Sequence, residues 1–157
     1  WVPKLVVNSG LSETYGVYGA VVLNGGGVLG VLALGLIAAR SQLTLLIGIF
    51  LLAAASGMLL YAAVGELLPL LPVLFVVGFF LNGGFCGLYA IAAKIYPTEM
   101  RSTGVGWAIG LGRFGAVVGP YLGGLLIAGG ASLQLNFLAF AIPAALAGVL
   151  VLWIKVN

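Results

Sequence analysis

Arg113 is the residue of this sequence best placed to bind an anion. It lies within an apolar stretch over residues 103–128, about ten residues and 15 Å from its start if the stretch is helical, which is near the middle of a bilayer. A guanidinium at that depth costs about 2.5–3.5 kcal/mol on insertion scales, and its five N–H donors require acceptors. We expect Arg113 to face a water-filled cavity and bind an anionic substrate. The alternative is an arginine satisfied by helix carbonyls or by a carboxylate outside this chain.

A second candidate site is an amide among aromatic rings in the stretch 67–95. Helical spacing of three and seven residues places four aromatic side chains on the face of Asn82. They are Phe75, Phe79, Phe85 and Tyr89. Such a stripe is usually packed core or lipid-facing surface, but a lipid-facing stripe does not normally carry an asparagine. A wall that faces substrate is therefore an equal alternative. Asn24, in a second Leu-Asn-Gly-Gly tetrad, is expected to make an interhelical hydrogen bond.

The composition excludes an ordinary soluble domain and most catalytic chemistry. Hydrophobic residues make up 63% of the chain and charged residues only 6%, against about 25% charged in soluble proteins, so most of the surface must face lipid. The chain has no histidine and one cysteine, Cys86, which removes His-based catalysis, metal sites and an internal disulfide. We expect no enzyme activity, no cofactor and no metal. The net charge of +3 argues against a nucleic-acid partner.

Charged and turn residues divide the chain 1–157 into one bundle of transmembrane helices. The stretches long enough to cross a bilayer are about 14–39, 43–64, 67–95, 103–128 and 133–154. Residues 1–9 cover about 14 Å as a helix, so they predict a partial helix. A chain that opens on half a helix is interpreted as a fragment of a longer protein.

Alternate loops differ in charge, and this predicts the orientation. One set of loops and the carboxyl terminus carry Arg40, Lys94, Arg101 and Lys155, whereas the other set carries Glu13 and Glu66. Basic loops lie on the cytoplasmic side of membrane proteins. We therefore expect a multi-pass membrane protein with a cytoplasmic carboxyl terminus.

Glycine is concentrated in the stretch 103–128. Gly115, Gly119 and Gly123 recur at every fourth position, and the chain contains 26 glycines in all. Small residues with this spacing let helix backbones approach closely in lipid. These three glycines are therefore predicted to be packing residues, and their helix is predicted to be central in the bundle.

The same part of the chain resembles a known family. Residues 96–120, YPTEMRSTGVGWAIGLGRFGAVVGP, are similar to the segment that joins helices ten and eleven in the major facilitator superfamily, and more narrowly in its aromatic acid:proton symporters. Residues 78–84, GFFLNGG, resemble the tenth helix of that group. Residues 35–40, GLIAAR, resemble a degenerate cytoplasmic loop motif in which Ala39 replaces the acidic residue. That replacement puts a gating salt bridge at this loop in doubt.

The resemblance implies the carboxyl-terminal, six-helix half of a twelve-helix transporter, made of the end of helix seven and helices eight to twelve. It implies proton-coupled uptake of a small, aromatic acid, with the amino-terminal half as partner and the lipid bilayer as solvent. Arg113 would bind the carboxylate and Asn82 a ring substituent, while the stacking residues would be Phe79, Phe85 and Tyr89. The residues expected to gate the cytoplasmic loops are Arg40, Glu99 and Arg101.

Proton coupling normally requires a carboxylate within the membrane. The three glutamates are all predicted in loops and there is no aspartate, so the coupling acid is expected in the other half. Two alternatives stay open. One is a stand-alone membrane protein or pore that dimerises with a second copy through its glycine faces. The other is a symporter half for a different anionic metabolite.

Overall fold

The computed structural model describes residues 13–65 and 69–154, which form five α-helices joined by short turns. The helices are α1 (Glu13–Ala38), α2 (Leu43–Val64), α3 (Leu70–Ile95), α4 (Arg101–Ala128) and α5 (Leu133–Trp153). Each is long and apolar enough to cross a membrane, which confirms the predicted all-α membrane fold class. The partial helix predicted over 1–9, and the charges of Glu66 and Lys155, lie outside the described residues.

Two helix starts differ from the prediction. Helix α3 begins at Leu70 rather than near residue 67, directly after Pro69, which has an extended backbone. Helix α4 begins at Arg101, two residues before the predicted start at 103, so Arg101 occupies its first turn. Helix α5 begins as expected for a capped helix, since the hydroxyl of Ser132 accepts a 3.2 Å hydrogen bond from the backbone N–H of Leu135.

Helices α1 and α3 cross with their backbones in contact. The contact is made by glycines on both helices: Gly26 lies on the carbonyl of Phe75, Gly30 on that of Phe79, and Gly78 on that of Leu23. A Cβ at any of these positions would overlap backbone atoms of the facing helix. The contact of Gly26 with Phe75 is followed, four residues further along both helices, by that of Gly30 with Phe79, so α1 and α3 run parallel. In lipid such close approach is what drives helix association.

Helix α2 packs antiparallel to α3 and α5 and supplies most of the core. Its buried side chains meet one residue each from α1, α3 and α5 in a single apolar cluster. The cluster consists of Leu34, Leu46, Ile47, Phe50, Leu51, Ile91 and Val151. Glycines again mark the tightest points, because Gly48 faces Leu152 and Gly148 faces Leu52. Helix α3, which contacts both α1 and α2 extensively, is therefore the middle element of the described bundle.

Helix α4 is the exception to this packing. Gly123 is its one buried residue, and its contacts with neighbours are few: Gly104 lies against the ring of Tyr96, and an added Cβ at Gly119 would lie 3.7 Å from Phe140. The prediction that this helix is central is thus wrong for the described part of the chain, where α3 holds that position. The glycine spacing indicates that close approach is possible, but no described helix covers most of α4.

The α1–α3 crossing yields a stability prediction with an internal control. Gly30→Ala should lower the thermal unfolding midpoint of the purified chain in detergent, because its methyl group would overlap the backbone of Phe79. Overpacking of this kind costs about 1–3 kcal/mol. Gly25→Ala, on the same helix with no atom within 4 Å of its Cβ position, should leave the midpoint unchanged or raise it, since alanine favours the helix. Equal midpoints for the two variants would contradict the close crossing.

Candidate functional site

Arg113 lies in the middle of α4 and is exposed. It is twelve residues after Arg101, where the helix begins, which corresponds to about 18 Å along the helix axis. Among the side chains that the structure describes, Glu99 is the only acidic one. It precedes α4 and accepts a 3.3 Å hydrogen bond from the hydroxyl of Thr98. Within the described residues, the charge of Arg113 therefore has no carboxylate at its own depth.

A groove runs along the same helix beside Arg113. It has a volume of about 480 Å³ and is lined entirely by α4, by Thr103, Gly106, Trp107, Gly110, Leu111 and Phe114. Gly106 and Gly110 are separated by four residues and so lie one above the other, where they form a floor without side chains. This groove was not predicted from the sequence. The signal that could have found it is the glycine pair flanked by two aromatic residues.

Asn82 is half-buried and lies in the crossing between α1 and α3. Its Nδ2 atom donates a 3.1 Å hydrogen bond to the carbonyl of Gly78 in its own helix. A Cβ added at Gly27 of α1 would come within 2.6 Å of that same nitrogen. The amide thus packs on the backbone of α1. The structure does not bring it next to α4 and Arg113.

Asn24 makes the corresponding bond within α1. Its Nδ2 atom donates to the carbonyl of Ala20 at 2.8 Å, and the side chain is exposed. The described part of the chain thus shows a bond within α1 for Asn24 and not the interhelical hydrogen bond predicted for it. In both Leu-Asn-Gly-Gly tetrads the asparagine bonds back to its own helix. The contacts between helices are made by Gly26 of the first tetrad and by Gly83 and Gly84 of the second.

The aromatic stripe of α3 is divided between two environments. The ring of Phe79 stacks on that of Phe50 from α2 at 5.9 Å and meets the ring of Phe80 at 5.1 Å. Phe85 and Tyr89 form a separate edge-to-face pair at 5.2 Å, and Phe85 is 49% exposed. Phe79 therefore belongs to the packed side of α3. The pair Phe85 and Tyr89 remains accessible.

Three of the four basic residues in the described part of the chain, Arg40, Lys94 and Arg101, gather at one end of the bundle. Because α1 and α3 run parallel, the loop with Arg40 lies at the same end as the loop that carries Glu99 and leads into Arg101. These three side chains and Lys94 are exposed. The opposite end of the described residues, formed by the turns near Gly65 and Gly129, has no basic residue. The predicted gating residues thus share one end of the bundle.

Comparison with known proteins places this arrangement in a family. A model of the Major Facilitator Superfamily matches residues 1–157. The chain is 34% identical over 153 residues to the 4-hydroxybenzoate transporter of Pseudomonas aeruginosa, with 97% of this chain and 34% of the relative covered. It is 37% identical over 160 residues to the benzoate transport protein of Acinetobacter baylyi, with coverages of 99% and 33%. It is 36% identical over 157 residues to the gallate transporter of Pseudomonas putida, with coverages of 97% and 34%.

The chain spans about a third of the length of these curated relatives. No solved structure matches it. The relatives carry the names of aromatic-acid transporters, which confirms the resemblance seen in residues 96–120 and 78–84, and proteins of this kind are not enzymes. With a family match over its whole length and five helices able to cross a membrane, the chain is a multi-pass membrane protein that belongs to the Major Facilitator Superfamily.

Proposed function

We propose that the chain is the carboxyl-terminal half of a secondary transporter that takes up a small aromatic acid together with protons. The transporter would lie in a bacterial inner membrane, with its carboxyl terminus in the cytoplasm. The observation that carries the proposal is the exposed arginine at mid-helix in a chain whose relatives are named for 4-hydroxybenzoate, benzoate and gallate. Each of these compounds joins an aromatic ring to a carboxylate, which is the charge that Arg113 complements.

Arg113 is the proposed substrate ligand. Its guanidinium offers parallel N–H donors that match both oxygens of a carboxylate, and such charge-assisted pairs are the strong hydrogen bonds of proteins. In a site screened from water the pair gains further strength, because the effective dielectric constant is lower than in bulk solvent. The anion would in turn neutralise a charge that is costly at this depth.

The remaining predicted site residues divide according to their surroundings. Phe85 and Tyr89 present accessible ring faces on α3, and we propose that they contact the substrate ring. Asn82 and Phe79 pack against α1 and α2, and we propose that they hold α3 in position. Arg40, Glu99 and Arg101 share the basic end of the bundle, which supports a role in closing the cytoplasmic side.

A partner half is the proposed source of the coupling carboxylate. No described residue within a helix interior is acidic, while proton-coupled transport normally requires such a group. The curated relatives are about three times as long as this chain. Beyond the groove, α4 exposes further apolar side chains, among them Val117, Tyr121 and Leu125, on which an amino-terminal half would pack. A second copy of the chain is the competing partner.

Removal of the Arg113 charge should abolish transport. In the complete transporter, Arg113→Ala should lower the uptake of radiolabelled 4-hydroxybenzoate at least tenfold, because a hydrogen-bonded charge contributes about 1.5–3 kcal/mol. Arg113→Lys should also fail, since an ammonium lacks the planar pair of donors. Lys94→Ala, which removes an exposed charge near the end of α3, should keep uptake within twofold. Near-normal uptake by both Arg113 variants, measured with as much variant as unaltered protein in the membrane, would contradict the role of Arg113 as substrate ligand.

The isolated chain should not perform coupled transport. Purified 157-residue protein, reconstituted into vesicles with an inward proton gradient, should accumulate no aromatic acid, because the coupling carboxylate is absent. In detergent, and in the absence of the amino-terminal half, the purified chain should have the molar mass of a monomer. Proton-driven accumulation by this chain alone, or transport by a stable dimer of it, would contradict the proposed amino-terminal partner. The partner would then be a second copy of the chain.

A further inference from the structure

The groove on α4 has a bare floor and apolar walls. No heavy atom lies within 4 Å of a Cβ built at Gly106 or at Gly110, so the space above these residues is open. The walls are large exposed side chains: Trp107 is 67% exposed, Leu111 59% and Phe114 69%. A planar apolar group can therefore lie directly on the helix backbone between two aromatic residues. Aromatic side chains at such distances pair with other rings by stacking or by edge-to-face contact.

Arg113 stands at one end of this groove. It follows Gly110 by three residues, which places it about 4.5 Å further along the axis and about 60° around the helix. Its long side chain spans that offset easily. The surface is thus apolar at one end and cationic at the other. All of its lining residues belong to α4, so the groove is open on the side away from this helix.

The glycines of α4 fall on two different faces. Gly119 lies nine residues after Gly110 and hence about 180° around the helix, where it approaches Phe140 of α5. Gly123, the buried residue of α4, lies close to that second face. Gly119 thus takes part in the contact with α5, whereas none of the described helices comes within 4 Å of a Cβ at Gly106 or Gly110.

We propose that the groove over Gly106 and Gly110 holds the ring of the aromatic acid, with Trp107 and Phe114 as its walls. This inference rests on the proposed function and adds the residues that select an aromatic substrate. Charge complementarity supports this occupant, because an aromatic acid joins an apolar ring, which suits the exposed walls, to a carboxylate that can pair with Arg113.

The direct test fills the groove in the complete transporter. Gly110→Leu should raise the KM for radiolabelled 4-hydroxybenzoate at least tenfold, because the new side chain would occupy the space of the ring. Gly112→Leu is the matched control. Gly112 likewise has nothing within 4 Å of its Cβ position, but two residues turn it about 200° away from Gly110. Its KM should stay within threefold of the unaltered protein.

A labelling experiment keeps the test decisive if a leucine variant fails to fold. In a complete transporter whose cysteines, Cys86 among them, are all replaced by serine, Gly110→Cys and Gly112→Cys each introduce a single thiol. Saturating 4-hydroxybenzoate should slow the reaction of the first thiol with a methanethiosulfonate reagent at least fivefold. It should leave the second unchanged.

The walls predict selectivity for aromatic acids. Trp107→Phe should preserve the preference for benzoate over cyclohexanecarboxylate as a competitor of uptake, whereas Trp107→Leu should reduce that preference. If the unaltered transporter takes up 4-hydroxybenzoate normally, but the leucine variants at 110 and 112 change KM equally and substrate protects both cysteine variants equally, the ring site is wrong. The proposed function would then still stand. If the unaltered transporter neither takes up nor is protected by 4-hydroxybenzoate or benzoate, the proposed function fails and this inference fails with it.

Discussion

Backbone contact between α1 and α3 is the constraint on which the rest of the bundle depends. Apolar side chains gain little by leaving lipid for protein, so helices in a membrane associate where their surfaces fit most closely. Glycines at positions 26, 30 and 78 remove the side chains that would keep the two helices apart. The crossing holds the helices parallel and brings the loop at Arg40 to the same end as the loop before Arg101.

That arrangement determines where Arg113 lies. Helix α3 is held by α1 on one side and by α2 on another, and only a short turn, residues 96–100, separates its end from the start of α4. Helix α4 then returns antiparallel to α3, so the depth of Arg113 follows from its distance to Arg101. Since few contacts tie α4 to α3 and α5, its groove and its arginine remain accessible.

The sequence predicted the transmembrane helices well, but it did not predict which helices pack against each other. Charged and turn residues sufficed to place five spans, because a bilayer tolerates neither within its core. The prediction that 103–128 forms the central helix failed for the described part of the chain, because small-residue spacing shows that a helix can approach another closely but not which one. Helical spacing likewise placed Asn82 and four rings on one face. It could not tell that Gly27 of α1 would cover the amide.

The exposure of Arg113 bears both on the partner half and on the site for an aromatic acid. A guanidinium in the middle of a helix of this length cannot remain against lipid without a cost of several kcal/mol. None of the described helices shields it, and the described glutamate lies before the helix. The shield must therefore be protein, water or a bound anion. A partner half that encloses a water-filled site would supply the first two, and an aromatic carboxylate in the adjoining groove would supply the third.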